Sequence, residues 1–159
     1  MIVNKQLAKS KGVDNKDLWE TPLNIFKSLD AEFNFTLDPC CEKHTAKCKK
    51  YYTPKENGLI KSWESESCFV NPPYSRNNID LWVEKCFLES QKDNTTVVAL
   101  LPVSTSAKWW HSWIVGKSEL RFIERRIRFK GGKFTAPFSS VVAVFGYTGI
   151  RSMNQIKSY

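Results

Sequence analysis

The sequence predicts an α/β fold: three layers around a mostly parallel sheet, closed by a C-terminal antiparallel hairpin. Three observations predict it. Helix-period and strand-period segments alternate along the chain, in the order helix, three strands, helix, strand, helix, two strands. The run Thr95 to Leu101 is almost continuously β-branched and apolar, as a central strand covered on both faces must be. Finally, two apolar runs near the end flank a Gly131-Gly132…Pro137 segment, which reads as a hairpin connection.

The elements follow in order. Residues 1–17 are polar and lysine-bearing and read as a flexible arm. Thr21-Pro22 opens the first helix, with Thr21 as N-cap and Pro22 at the first helical position. Ile25, Phe26, Leu29 and Phe33 give that helix one apolar face. Residues 35–38 (Phe-Thr-Leu-Asp) form a strand stopped by Pro39, and residues 50–53 a second one stopped by Pro54. Cys68-Phe69-Val70 ends a buried strand. A helix over 78–91, capped by Asn77 or Asn78, presents Ile79, Trp82, Val83, Cys86 and Phe87. A further helix spans 104–115, with Trp109, Trp110 and Trp113 as core or cleft lining. Strands over 120–129 and 141–145 complete the sheet. One domain is expected over residues 18–148, followed by a tail over 149–159.

The chain has 159 residues, enough for a single core. Its 24 Lys and Arg against 16 Asp and Glu give a net charge of +8 and a pI near 9.3. That balance favours a polyanionic partner, because neutralising phosphates releases counterions. A merely solubilising basic surface is the alternative. The N-terminus lacks an apolar stretch of signal-peptide length, and no run reaches membrane-spanning length. Five cysteines without a secretory signal suggest reduced thiols in a cytoplasmic setting. Nothing in the sequence signals an oligomeric state.

Chemistry concentrates at Asn71-Pro72-Pro73-Tyr74, directly after a strand, where ligands of open α/β sheets bind. An amide, two prolines and an aromatic suit one task, gripping a planar amino-bearing group while its nitrogen reacts. The Asn71 side-chain oxygen and the Pro72 backbone carbonyl can each accept a hydrogen bond from an NH₂ group. The prolines fix φ and hold that carbonyl rigid. Tyr74 offers a face for stacking, worth about 1–3 kcal/mol per base in single-strand binders. A proline-rich turn that merely ends a strand is the plain alternative.

Several blocks in a fixed order carry a resemblance. They are Trp19-Glu20-Thr21-Pro22, Phe35-Thr36-Leu37-Asp38, Ala46-Lys47-Cys48 with Tyr51-Tyr52, and Asn71-Pro72-Pro73-Tyr74. Further on come Arg121-Phe122-Ile123, Arg128-Phe129 and Ala136-Pro137-Phe138. From about Trp19 to Phe145 the chain resembles the phage-type, Dam-like DNA N6-adenine methyltransferases. The resemblance implies a Rossmann-like methyltransferase sheet, S-adenosylmethionine as methyl donor, and site-specific transfer to the N6 amine of adenine in DNA. It implies the host-cell cytoplasm as the place of action. It also implies Asn71, Pro72, Pro73 and Tyr74 as the catalytic set, with Trp19, Thr21 and Pro22 in the donor-binding segment. The target base would leave the stack to react.

Asp38, at the end of the first strand, is placed to meet the donor's ammonium or methionine part; an Asx-type turn before Pro39 is its other reading. Glu56 or Asn57 is a candidate for the donor's ribose or adenine. Unlike many methyltransferases, the chain has no glycine-rich loop after that strand. A methyltransferase acting on RNA adenine or on protein glutamine is an alternative within enzymes. An inactive donor- or DNA-binding module is the alternative outside them.

For DNA contact, the candidates are Lys108, Arg125, Arg126, Arg128, Lys130 and Lys133, grouped with Arg121 and Lys117 around the last hairpin. A charged edge kept soluble is the competing reading. Cys40, Cys41, His44 and Cys48 fit no paired Cys-x-x-Cys metal framework, so no metal is expected. His44 and His111 read as surface or helix-end histidines.

Overall fold

The computed structural model describes residues 16–146 and 153–156. The strands are β1 (Leu37–Asp38), β2 (Lys50–Tyr51), β3 (Ser67–Val70), β4 (Thr96–Pro102), β5 (Glu119–Ile123), β6 (Ser140–Phe145) and β7 (Met153–Ile156). They form one seven-stranded sheet in the order β2-β1-β3-β4-β6-β5-β7. Pairings among β2, β1, β3 and β4 are parallel, as is β5 with β7. Strand β6 runs antiparallel to both β4 and β5. The expected antiparallel pair is present, with β6 inserted beside β4.

Side chains alternate along the central strands and feed two cores. Val97, Ala99 and Leu101 of β4 join Cys68, Val70, Val141, Ala143 and Phe145. On that side they meet Ile79, Trp82, Val83 and Cys86 of helix α2 (Arg76–Ser90). Val98 and Leu100 join Phe69, Val142 and Val144, and meet Ile25, Phe26, Leu29 and Phe33 of helix α1 (Leu23–Phe33). Each fully buried branched side chain contributes roughly 1.5–3 kcal/mol. The uniform burial of β4 follows from having a core on either side.

Several boundaries differ from the sequence reading. Helix α1 begins at Leu23, and Pro22 is its N-cap, at φ −56° and ψ 140°. Proline has no N–H to cap, and its carbonyl receives the first helical bond, from Phe26 at 3.2 Å. Thr21 therefore caps nothing. Helix α2 starts at Arg76 after Ser75, and Asn78 reaches back to Ser75 Oγ at 2.6 Å instead of capping. The segment expected as a helix over 104–115 narrows to a short helical start at Lys108 and a π-helical turn, Trp110–Ile114. Strand β5 ends at Ile123, because Glu124, Arg125 and Arg126 turn to solvent; Ile127 and Phe129 then bury against the α1-side core.

Residues 1–15 of the expected arm lie outside the described residues, and Lys16–Leu18 form a 3-10 turn. Within the stretch read as a tail, Met153–Ile156 add a parallel strand to β5. Among the described residues no helix is long and apolar enough to cross a membrane.

The topology sets where the sheet opens. After β1 the chain moves to one side for β2, then crosses to the opposite side of β1 for β3. Between β1 and β3 lies the switch point of the sheet, and a crevice opens outside their carboxyl ends. Asp38 ends β1 and Asn71 follows β3, so both stand at that crevice.

Candidate active site and nucleic-acid face

One wall of the crevice is built on the turn after β3. Pro72 and Pro73 are buried, while Asn71 and Tyr74 are half-buried. The Asn71 side-chain Nδ2 donates to the Trp19 backbone carbonyl at 2.9 Å. That bond sets the amide's orientation and leaves Oδ1 as the free-facing acceptor. The Tyr74 hydroxyl donates to the Leu100 carbonyl at 3.0 Å, which ties the ring to β4. Its ring lies edge-on to Phe129 and Phe138, with centroids 6.1 and 5.6 Å away. Burial pushes the phenol above its ordinary range, so Tyr74 stays neutral.

The segment before α1 forms a strap across this turn. Asp17, itself buried, accepts from the Ser75 backbone N–H at 2.8 Å. Trp19 stacks on Phe129 at 5.2 Å and carries the carbonyl that orients Asn71. Glu20 exchanges two backbone hydrogen bonds with Lys130, at 3.1 and 3.0 Å. Its carboxylate meets Lys47 at 2.8 Å and Lys130 at 3.4 Å. Burial raises the Glu20 carboxyl, but the hydrogen bonds and charges of the two lysines overcome that and hold it below the usual range.

Beside the strap is a hollow of about 260 Å³ lined by Trp19, Thr21, Asp38, Lys47, Phe69 and Asn71, among others. The Thr21 hydroxyl is buried and has no hydrogen-bond partner. An unsatisfied buried hydroxyl is costly unless a ligand completes it. Asp38 is also buried; its Oδ1 accepts from Cys40 N–H at 3.3 Å and its Oδ2 from Lys47 N–H at 3.0 Å. The Asx-type turn is therefore present, and the same carboxylate lines the hollow.

Cys40 and Cys41 also line a second, larger cleft of about 410 Å³, together with Tyr52, Asn57, Gly58 and Trp82. Gly58 leaves that cleft open: a Cβ there would sit 2.1 Å from the Pro39 carbonyl oxygen. Asn57, at φ 55°, accepts from Leu59 N–H through its side chain at 3.3 Å. Glu56 is exposed and spends its carboxylate on Thr53, accepting from the Thr53 N–H at 2.9 Å. Among the residues around these two hollows Asn57 appears and Glu56 does not.

On the basic side, Arg126, Arg128 and Lys130 are exposed in alternation with buried Ile127 and Phe129. Lys108, Arg125 and Lys133 are exposed as well. Arg121 departs from the group: it pairs with both carboxylate oxygens of Glu32, at 2.5 and 2.7 Å, and with Glu119 at 2.6 Å. It also lies over the Phe33 ring, so it braces α1 against β5. Trp109 and Trp110 are buried in the core, and Trp113 contacts Phe87. Among the described residues, no three His, Cys, Asp or Glu side chains converge as a metal site requires. His44 and His111 are exposed, and His111 Nε2 lies 2.6 Å from the Thr105 carbonyl.

Sequence reasoning singled out neither Asp17 nor Gly58, and it quoted Lys47 only within a block, without its contacts to Asp38 and Glu20. Asp17 fell inside an apparently featureless polar arm. The Gly58 signal was legible in principle, as the turn dipeptide Asn57-Gly58.

These features define an α/β sheet domain with two adjoining hollows at its switch point and the Asn71-Pro72-Pro73-Tyr74 turn at one wall. Residues 9–144 match the family described as DNA N-6-adenine-methyltransferase (Dam), and the chain belongs to that family. It is 38% identical over 111 residues to the DNA N-6-adenine-methyltransferase of Haemophilus phage HP1, covering 69% of this chain and 63% of that protein. The protein of the same name from Escherichia phage T1 is 30% identical over 111 residues, covering 69% of this chain and 45% of the phage protein. The match thus spans less than two thirds of either relative.

Proposed function

We propose that the chain is a DNA adenine-N6 methyltransferase that uses S-adenosylmethionine, built on a three-layer Rossmann-like sheet. The observation that carries this reading is the Asn71 amide, turned by the Trp19 carbonyl so that Oδ1 accepts. Adenine's N6 lone pair is delocalised into the ring and is a poor nucleophile. Accepting its two N–H hydrogens at Asn71 Oδ1 and the Pro72 carbonyl favours a pyramidal nitrogen with the lone pair released for attack. Tyr74 and the aromatic wall beside it receive the flat face of the base. Orientation and electrostatics then supply the catalysis.

The donor supplies an electrophilic methyl group on a sulfonium. On transfer the N6–C bond would form as the C–S bond breaks with its pair left on sulfur, and the proton lost from N6 would pass to solvent water, with Asn71 Oδ1 and the Pro72 carbonyl orienting the amine. The chain's residues fit such a group. Asp38 and the partnerless Thr21 hydroxyl suit its ammonium and carboxylate ends. The cleft at Tyr52, Asn57 and Gly58, walled by Pro39, Pro54 and Trp82, has the apolar character that suits its adenosine. Trp19 lines the hollow itself, Pro22 caps α1 directly after Thr21, and Glu56 serves the fold of its own turn.

DNA is the proposed partner, held by Lys108, Arg125, Arg126, Arg128, Lys130 and Lys133, in the cytoplasm where that DNA resides. The family and the +8 charge support DNA over a protein substrate. Incubation with methyl-labelled donor and unmethylated DNA, RNA or protein tests the reading. Label in N6-methyladenine of DNA supports it, and label confined to RNA or protein overturns it.

A further inference from the structure

The loop between Ile127 and Ser140 presents an unusual side chain. Phe134 is 76% exposed, the most exposed large hydrophobic among the described residues. Its loop is nevertheless fixed at both feet. Phe129 and Ala136 are buried, Ala136 N–H bonds to the Ile127 carbonyl at 2.8 Å, and Gly132 N–H bonds to the Phe129 carbonyl at 3.1 Å. Lys130 is paired to Glu20 through the backbone. A rigid base therefore holds an apolar ring out in water, flanked by exposed Arg128, Lys130 and Lys133.

The loop also adjoins the acceptor site. A Cβ on Gly132 would lie 3.5 Å from the Trp19 indole, and the Trp19 carbonyl orients Asn71. The Phe134 loop is thus separated from the catalytic amide by a single residue. An exposed aromatic between cations suits a partner with charged rails and flat apolar interiors, which is duplex DNA. Apolar side chains can wedge between base steps and unstack them, and a base extruded for chemistry leaves a gap that such a side chain fits.

We propose that Phe134 is a positioning residue that enters the duplex stack and occupies the place of the extruded adenine. This rests on the DNA reading above, and the two fail separately. Wild-type transfer to DNA tests the DNA reading. The wedge is tested by comparing Phe134→Ala with wild type on duplex and on heat-denatured DNA, alongside the fluorescence of duplex carrying 2-aminopurine at adenine positions.

In the single strand the adenine is already unstacked, so the wedge has nothing to replace. Phe134→Ala is expected to lose about tenfold or more on duplex DNA, to keep its rate on denatured DNA, and to lose the 2-aminopurine fluorescence rise. Phe134→Trp restores both. A wild-type duplex rate in Phe134→Ala, or an unchanged fluorescence rise, overturns the proposal. So does a wild-type dimer that Phe134→Ala dissociates, since the ring would then serve a second copy of the chain.

Discussion

The Asn71 side chain donates to the backbone carbonyl of Trp19 at 2.9 Å, across 52 residues of sequence. This one bond joins the strap before α1 to the turn after β3, and it decides which end of the amide faces the crevice. The hollow, the turn after β3 and the basic loop all touch the strap: Thr21 and Glu20 line the hollow, and Glu20 pairs with Lys130. Asp17 adds a second tie at Ser75.

Thr21→Val tests whether the buried hydroxyl is kept for a ligand. Because Oγ1 has no partner, the substitution is expected to leave the free protein as stable or about 1 kcal/mol more stable. Thermal unfolding then shifts upward by roughly 2–4 °C. S-adenosylmethionine binding, read by calorimetry, is expected to weaken about tenfold. Loss of stability with unchanged donor binding contradicts the assignment.

Gly58→Ala places a methyl group against the Pro39 carbonyl, at 2.1 Å before any relaxation. The backbone of the cleft wall must move, with an expected loss of roughly 1–3 kcal/mol. Donor binding is expected to fall in the same variant, whereas Gly116→Ala, strained by its φ of +71° but with nothing within 4 Å of its Cβ, is expected to leave donor binding intact. Equal donor binding in the two variants contradicts the role given to this cleft.

Stability is expected to decline in alkali. Burial, with Asp38, Asp30 and Glu66 adding to it, pushes the Cys48 thiol from 9.0 up to about 12. Burial pushes Cys68, Cys86 and Tyr74 in the same direction. The unfolded chain therefore releases these protons first. Their stabilising contribution is full below about pH 9 and is lost as pH rises through the folded-state values. The urea midpoint is expected to fall steadily above about pH 9; a flat midpoint contradicts the burial of these groups.

Replacing Arg126, Arg128 and Lys133 together by alanine tests the basic face. All three are exposed. If each meets a phosphate, the slope of log affinity for DNA against log salt falls by about 2–3. Methyl transfer at saturating DNA stays near wild type. An unchanged salt slope identifies the cluster as a solubilising surface.

Much of the fold was legible because its core signals are local. The runs Thr95 to Leu101 and Val141 to Phe145 announced buried strands, and Ile25, Phe26, Leu29 and Phe33 announced the apolar face of α1. The turn after β3 was legible because four adjacent residues, Asn71-Pro72-Pro73-Tyr74, follow a short buried run. What escaped depends on contacts distant in sequence. Thr21 has the residue type and spacing of a cap, yet Pro22 takes that position and frees the hydroxyl. Arg121 reads as one of a basic group until Glu32, 89 residues away, claims it. Asp17 acquires a role only through Ser75, 58 residues on. The end of β5 was overrun because Ile127 and Phe129 keep a strand-like alternation while packing as an irregular segment.

The central claim is that Asn71 grips the amine of adenine and does not hold the donor. It is tested most directly by measuring methyl transfer from labelled S-adenosylmethionine to unmethylated DNA, together with donor binding, in wild type and Asn71→Ala. The account predicts N6-methyladenine from wild type, a fall of about 10²–10³ in rate for the variant, and donor affinity within about twofold of wild type. Equal loss of transfer and donor binding, or wild-type label that never reaches adenine in DNA, contradicts it.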